Sequence, residues 1–407
     1  MASQVLGAVG LSGGITVGSL LAEDLLGSPD LAGLANTAQI LGSAVLAVPG
    51  ARLMAARGRR AGLVTGYLVA GAGGLLVIAA VLARSFPLLL AGAVLFGAAT
   101  TANSQARYAA VDLAARAHRG RDLSLVVWAT TVGAVLAPNL IGPAEPLATA
   151  LRLPPLLGIW LVSLAAFALA VAWLNVRLRP DPLLLARDLA RAGLPDGVAD
   201  RPHGGLSRAL TVLAASAHAR SGVLVVALGH MVMVSVMVMT PLHISHGGAE
   251  LHLVGVVISV HVLGMYAFSP LVGRLDDAVG GRRTALTGAA TLLLACLITA
   301  QAPAGWSAAL TVGLFLLGLG WSLTLVSGST MLTGGVPAAE RPGVQGAADL
   351  VMGLCGALGG GLSGIVVGTL GYPWLSVLGA VVATLLAAVI VLPRGAGGRR
   401  DADNLVG

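Results

Sequence analysis

Methionine and histidine are concentrated in one stretch of this sequence, from His230 to Met265. Five of the nine methionines and five of the eight histidines fall within it. Thioether sulfur and imidazole nitrogen are the side-chain ligands that soft and borderline metal ions prefer, and Cu(I) prefers them above all. The stretch therefore predicts a site for a soft metal ion, provided that the fold brings these side chains together.

Helical spacing selects four residues of this stretch. Met233 and Met237 are four residues apart, as are His261 and Met265, so each pair shares one face of a helix. Counting about 1.5 Å per residue along two antiparallel spans places Met237 level with His261, and Met233 level with Met265. We predict a metal site made of Met233, Met237, His261 and Met265.

The evidence for metal binding is weaker for the other histidines and methionines of the stretch. His230 shares a face with Met233, and His243 and His246 flank the next connection, so these three histidines are candidate steps on a metal path. An ordinary role as polar loop residues accounts slightly better for His243 and His246. Met231 and Met239 point away from Met233, and packing explains them best.

The composition is that of an integral membrane protein. The chain is 57% hydrophobic and only 10% charged, and its mean hydropathy is +0.91. All 24 basic residues are arginine, and they cluster in the connections between apolar runs, which indicates membrane topology and argues against nucleic-acid binding. No nucleophile and base arrangement or phosphate loop is evident, so we expect neither an enzyme nor a resident cofactor.

The apolar runs predict an all-α membrane protein with twelve spans. Arginines crowd alternate connections, which predicts that both termini are cytoplasmic in an inner-membrane protein. A proline-rich, arginine-rich segment separates two groups of six spans. We predict four regions: a first six-helix bundle at 1–176, a cytoplasmic linker at 177–222, a second bundle at 223–393 and a cytoplasmic tail at 394–407.

The two bundles look like copies of one another. A shift of 222 residues places Gly58 and Arg60 on Gly280 and Arg282, as expected of a duplicated transporter with pseudo-symmetric halves. The second copy, Gly273-Arg-Leu-Asp-Asp-Ala-Val-Gly-Gly-Arg-Arg283, resembles the loop signature of the major facilitator superfamily. The resemblance implies that family's fold and transport by alternating access.

This loop has the composition of a gate. Its glycines permit a tight turn, while Asp277 and the arginines can hold the helix ends together in one state and release them in another. We predict gating roles for Gly273, Asp277, Gly280 and Arg282. In the first copy Ala55 stands where the aspartate is expected, and Asp112 is a candidate partner for Arg59 or Arg60.

The paired motifs Met233-x-x-x-Met237 and His261-x-x-x-Met265 resemble the signature of the CcoA-like copper importers, a branch of the same superfamily. The resemblance implies import of copper, free or chelated, as the transported substrate for assembly of cbb3-type cytochrome c oxidase. It also implies the lipid bilayer and a cytoplasmic copper chaperone as partners, and we expect a monomer. Sulfur ligands favour Cu(I) as the bound species.

A proton-coupled exporter of drugs or small metabolites is the alternative. The segment from Gly133 to Pro138 loosely resembles the antiporter motif of the superfamily. Such a carrier needs a carboxylate deep in the membrane, and we predict that Asp349 instead serves a helix N-terminus or the gate. Whether Gln39, Asn103, Gln105 and Arg107 face a cavity or bond to neighbouring helices stays open at this point.

Overall fold

The computed structural model describes residues 1–26, 33–192, 206–247, 251–337 and 339–391. Fifteen α-helices account for nearly all of these residues, which contain no β-strand. Long apolar runs form helices because a helix satisfies every backbone polar group within its own segment, as a membrane interior requires. The predicted tail, 394–407, lies outside the described residues.

The first half of the fold contains six helices. One of them, α2, holds two passes joined at a kink. The helices are α1 (Ala2–Leu26), α2 (Gly33–Leu82), α3 (Phe86–Ala109), α4 (Arg119–Asn139), α5 (Ile141–Ala150) and α6 (Gly158–Arg177).

Two short amphipathic helices in the predicted linker follow, and then the second half. The linker helices are α7 (Pro182–Ala192) and α8 (Leu206–Ala215). The helices of the second half are α9 (Ala217–His246), α10 (Leu251–Tyr266), α11 (Ser269–Val279), α12 (Gly281–Ala300), α13 (Ala308–Gly334), α14 (Arg341–Leu370) and α15 (Tyr372–Val391). The end of the bundle that carries α7 and α8 is called the linker side below.

The described residues include nine helical segments that are long and apolar enough to cross a membrane. The segment Thr37–Leu82 spans 46 residues, about 69 Å of helix, which suffices for two passes. With α1 and α4, the residues that the structure describes make twelve passes in two groups of six. The predicted fold class, an all-α membrane protein with two six-helix bundles, is confirmed.

The two halves share an unusual backbone turn. Gly58 has φ 88° and ψ 172°, and Gly280 has φ 86° and ψ 151°, a region that only glycine adopts without strain. The halves also share a close helix contact, in which Gly42 meets the Val94 carbonyl. At the position related by 222 residues, Gly264 meets the Phe315 carbonyl. The duplication proposed from sequence anchors is thus visible in the backbone.

Each half has its own apolar core, and the cores meet at α4. One cluster of buried side chains lies within the first half, and a second fills the other half and includes Leu123 and Val127 of α4. Because lipid is as apolar as these side chains, close contacts between small residues hold membrane helices together. Gly346 of α14 packs in this way on Ala47 and Ala51 of α2, which joins the halves on the linker side.

Candidate functional site: a cavity between the halves

A cavity of about 380 Å³ lies between the two halves. Helices α1, α2, α3 and α4 line it from the first half, and α9, α10, α13 and α14 line it from the second. Such a volume suits a small organic molecule, since ligand pockets commonly measure about 300–1,000 Å³. The cavity is therefore the place where a solute would meet both halves at once.

The first half contributes a wall of neutral hydrogen-bonding groups. Gln39 is buried on α2, Gln4 lies on α1, and Asn103 lies one turn before Arg107 on α3. The polar side chains of this wall are Gln4, Gln39, Ser43, Thr100, Thr101, Asn103, Ser104 and Thr130. Gln39 and Asn103 both line the cavity, and Asn103 also accepts a hydrogen bond from the Tyr67 hydroxyl of α2.

The second half contributes an aromatic and thioether wall. Trp321 is fixed at its edge, because its Nε1–H donates to Nδ1 of His230 over 3.0 Å. Tyr266 contacts the Trp321 ring edge-on, with centroids 5.6 Å apart. The remaining lining on this side is mainly apolar and includes Met233, Val234, Met265, Leu325 and Met352.

An ion pair between the halves forms the floor of the cavity. Arg107 of α3 donates from Nη2 to Oδ1 of Asp349 on α14 over 2.9 Å, and both side chains line the cavity. Gln105 donates to the other carboxylate oxygen over 2.6 Å. The prediction that Asp349 serves a helix N-terminus or the gate is wrong, because its carboxylate is held by these two side chains of the first half.

The hydrogen-bonded network continues below the floor toward the linker side. Arg59 forms a bidentate pair with Asp112, with Nε to Oδ2 at 2.8 Å and Nη2 to Oδ1 at 3.2 Å, which confirms the predicted partnership. Arg59 also donates to Gln105 and to Gln345 of α14, at 3.1 and 2.6 Å. Two arginines balance two aspartates, as burial of charge requires. The network links the halves and seals the linker side beneath the cavity.

The predicted gating loop forms a second link between the halves. The Asp277 carboxylate accepts the backbone N–H groups of Gly120 and Arg121 over 2.7 and 2.9 Å, in the first turn of α4. A carboxylate at a helix N-terminus is stabilised by the free N–H groups and by the helix dipole. Gly273 permits this contact, since a Cβ there would overlap the Gly120 carbonyl and Ser124 Oγ.

Arg282 holds a different helix end. Its Nε and Nη2 donate to the carbonyls of Ile390 and Val391, each over 2.9 Å, at the last turn of α15. The interaction satisfies carbonyls that a helix C-terminus leaves without partners. Gly280 supplies the turn that brings Arg282 to this end. The aspartate and the arginine of the loop thus bind two different helix termini.

The linker supplies contacts that the sequence did not suggest. Asp181 caps α7 through Oδ1, which accepts from Leu183 N at 3.1 Å, while Oδ2 accepts from Arg60 N at 2.8 Å, just after the turn at Gly58. Arg187 of α7 donates to the carbonyl of Ala55, at 2.6 Å, and to that of Ala339, at 3.1 Å. Arg187 therefore joins the first half to the residues before α14.

Two of the four predicted metal ligands line the cavity and the other two do not. Met233 and Met265 line the cavity and belong to one buried cluster, against which Met237 packs. His261 is 1% exposed, and its Nδ1–H donates to the Leu314 carbonyl over 2.8 Å. Its Nε2 has no hydrogen-bond partner among the described residues. The cavity lining includes neither Met237 nor His261.

The three candidate path histidines lie in separate environments. His230 lines the cavity and accepts from Trp321 through Nδ1, which leaves the proton of the neutral ring on Nε2. His243 stacks on Tyr372, with ring centroids 4.0 Å apart, and its Nε2 lies 3.1 Å from the Pro303 carbonyl. The side chain of His246 lies outside the part of the chain that the structure describes.

Comparison with known proteins establishes the family. The model of the major facilitator superfamily matches residues 2–249 and 222–404. The chain belongs to the major facilitator superfamily. It is 39% identical over 399 residues to the uncharacterized MFS-type transporter YdeG of Bacillus subtilis, covering 97% of this chain and 90% of that protein. Membership makes the protein a multi-pass secondary transporter that works by alternating access, and not an enzyme.

One further relative and one solved structure extend the comparison. The riboflavin transporter RfnT of Brucella anthropi is 28% identical over 353 residues, covering 86% of this chain and 83% of that protein. The proton:xylose symporter XylE superposes with a TM-score of 0.73 at 14% identity, covering 95% and 94% of the two chains. The second likeness concerns the fold alone.

Proposed function

We propose that the protein carries a small organic solute with one hydrogen-bonding edge and one flat apolar face. The proposal rests on the different chemistry of the two cavity walls. One wall presents amides and hydroxyls, and the other presents Trp321 and Tyr266 among thioethers. A planar heteroaromatic ring satisfies both walls, because its edge forms hydrogen bonds and its face stacks on an aromatic side chain.

Two further facts favour such a solute. A cavity of about 380 Å³ greatly exceeds the space that one metal ion needs, since ligand atoms lie about 2.0–2.3 Å from a bound transition metal. The relative RfnT is named as a riboflavin transporter, and riboflavin contains a planar heteroaromatic ring system. The floor formed by Arg107 and Asp349 would open toward the linker side when the solute is released there.

Binding to the purified protein in nanodiscs tests the proposal. A panel of riboflavin, uracil and xanthine is titrated while thermal unfolding is followed, and we expect stabilisation by at least one of them. Replacement of Trp321 by leucine should abolish that shift, because the stacking surface is lost. Trp306→Leu is the matched control, since Trp306 is 50% exposed and lies outside the cavity lining. An absence of any shift across the panel would refute the proposal.

Copper import is the second candidate, and His261 is the observation that favours it. A histidine that binds a metal usually donates its other ring N–H to a carbonyl or carboxylate, which fixes the tautomer. His261 donates Nδ1–H to Leu314 and presents a buried, unpaired Nε2 among the described residues, one turn before Met265. In this hypothesis Met233, Met237, His261 and Met265 bind Cu(I) as transported substrate, and Gly273, Asp277, Gly280 and Arg282 form the gate.

The resemblance to CcoA-like importers adds expectations about location and partners to the copper hypothesis. The protein would lie in the inner membrane with both termini in the cytoplasm and would deliver copper to a cytoplasmic chaperone for cbb3-type oxidase assembly. Cells that produce His261→Leu or Met233→Leu should then lose radioactive copper accumulation. Met239→Leu should not affect copper accumulation, because Met239 is a packing methionine of α9, the helix that carries Met233. Unchanged accumulation in the first two variants would eliminate this candidate.

A further inference from the structure

His230 of α9 presents one ring nitrogen to the cavity as a hydrogen-bond donor. The residue lines the cavity and is partly exposed. Its Nδ1 accepts from Nε1–H of Trp321 over 3.0 Å, and its Nε2 has no hydrogen-bond partner among the described residues. We propose that Nε2–H of His230 binds a ring carbonyl oxygen of the transported solute and thereby selects solutes that carry one.

The free nitrogen of His230 is open, unlike that of His261. Both Nε2 atoms lack a hydrogen-bond partner in the part of the chain that the structure describes, but the His261 atom is buried whereas the His230 atom retains exposed surface. Because His230 belongs to the cavity lining and His261 does not, that surface faces the cavity. A solute in the cavity can therefore reach Nε2 of His230 without any rearrangement of the protein.

Trp321 determines which ring nitrogen of His230 carries the proton. An indole N–H can only donate, so Nδ1 must offer its lone pair and the proton of the neutral ring lies on Nε2. Turning the ring over would put Cδ2 in the place of Nδ1 and lose the bond, so the orientation of the ring is fixed as well. In this tautomer neither nitrogen offers a free lone pair, so the ring fits an oxygen acceptor better than a metal ion.

A glycine leaves room beside this nitrogen. A Cβ on Gly356 of α14 would lie 2.9 Å from Nε2 and 2.8 Å from Cδ2 of His230, closer than van der Waals contact allows. Gly353, one turn earlier on the same helix, lines the cavity together with Gly356. Since neither residue has a side chain, α14 leaves a groove beside the edge of the imidazole ring that an oxygen atom of a solute can enter.

The surroundings of His230 favour a neutral acceptor over an anion. Arg107 and Asp349 of the described lining pair with each other over 2.9 Å, so they supply no net charge to offset the desolvation of an anion. The ring centroids of His230 and Trp321 are 6.3 Å apart, a distance that a flat bicyclic solute can bridge. A lactam, an imide or a pyrimidinedione can thus contact the indole and place a carbonyl oxygen at Nε2.

This inference rests on the proposed carriage of a heteroaromatic solute and adds a residue that recognises its carbonyl group. The test uses the full-length protein in nanodiscs and obtains dissociation constants for riboflavin, uracil and xanthine, which all have ring carbonyls, from thermal shifts at increasing concentration. Gly356→Ala should weaken binding at least about tenfold, because the added methyl group crowds Nε2 of His230. Gly364→Ala is the matched control on α14, since a Cβ there meets nothing within 4 Å.

Two substitutions of His230 separate the donor from the shape of the ring. His230→Leu removes the donor and should weaken binding by a factor similar to that of Gly356→Ala. His230→Gln keeps an amide oxygen that can accept from Trp321 and an amide N–H that can donate to the solute. The glutamine variant should therefore regain much of the affinity that the leucine variant loses.

The outcomes separate this inference from the proposed function. If a solute of the panel binds the wild type, unchanged affinity in Gly356→Ala or in His230→Leu would refute the donor role while the proposed function stands. Equal losses in the leucine and glutamine variants would refute it too, because the shape of the ring would then matter and not its N–H. If the whole panel fails to bind the wild type, both proposals fall. Gly356→Ala keeps the bond between His230 and Trp321, so it remains decisive if His230→Leu does not fold.

Discussion

The duplicated loop reaches the same backbone turn in both halves and binds the opposite half by different means. In the second copy, Gly280 makes the turn and Asp277 binds the N-terminus of α4. In the first copy, Gly58 makes the turn, and Ala55 stands at the position of the aspartate. There Arg187 of the linker connects the Ala55 carbonyl to that of Ala339.

The comparison separates what the duplication preserves from what it does not. Backbone turns and close helix contacts are preserved, because each half must pack in the same way. The contact between the halves differs in its chemistry from one copy to the other. Either a carboxylate or a guanidinium can make it, because each can bind backbone groups at a helix end that have no partner within the helix. The first copy also has Arg59 beside its turn, where the second has Gly281, and Arg59 anchors the buried network.

The largest expected effect comes from removing that extra arginine. Arg59→Leu leaves Asp112 buried without its cation, and such a loss costs about 3–5 kcal/mol. The apparent melting temperature of the purified protein, followed by tryptophan fluorescence, should fall sharply. Arg59→Leu combined with Asp112→Leu should recover part of the loss, because neither member of this pair is left as an unpaired buried charge. A single variant as stable as wild type would contradict the role given to the network.

The two turns should respond unequally to the same substitution. Alanine at Gly58 or Gly280 adopts a backbone region that costs about 1–3 kcal/mol. At Gly58 the added Cβ would also lie 2.5 Å from Oδ2 of Asp181, whereas at Gly280 it meets nothing within 4 Å. Gly58→Ala should therefore lower the melting temperature more than Gly280→Ala does. Equal shifts would show that Asp181 moves aside at no cost.

The two cross-links should contribute comparably to closure of the linker side. Asp277→Asn weakens a charge at a helix N-terminus, worth up to about 2 kcal/mol, and Arg187→Gln weakens the corresponding link of the first copy. Spin labels at the exposed positions 57 and 283, with Cys296 and Cys355 replaced by serine, report the distance between the halves. Each variant should increase the long-distance population, and the double variant should show the sum of both increases.

The smallest expected effect comes from restoring the missing carboxylate. Ala55→Asp places an acid near the N-terminus of α14 and near Arg187, and should stabilise the closed linker side by at most about 1 kcal/mol. The same label pair should then show a slightly shorter mean distance. A longer distance would indicate that the added carboxylate disrupts the contact that Arg187 of the linker already makes with the backbone at residue 55.

The sequence was sufficient for the fold because hydropathy, arginine distribution and the repeated glycines are properties of single helices. It also offered Asp112 as a partner for Arg59 or Arg60, since these residues are charged and lie near the same helix ends, and the structure selects Arg59. It missed the partner of Asp349 and the role of Arg187, because both bind residues far away in the chain. Gln4 is neutral and isolated in sequence, so only the arrangement of the helices places it on the cavity wall.

The floor of the cavity has a consequence for the response of the carrier to membrane voltage. Arg59, Arg107, Asp112 and Asp349 form two oppositely charged pairs within one buried network, so the network carries no net charge. An electric field acts on a moving element in proportion to its net charge, at about 2.3 kcal/mol per charge across 100 mV. Arg59, Arg107 and Asp112 leave one positive charge on the first half, and Asp349 places one negative charge on the second. Opening of this floor in the unloaded carrier should therefore respond to the membrane potential only as far as the two halves move these opposite charges apart along the membrane normal.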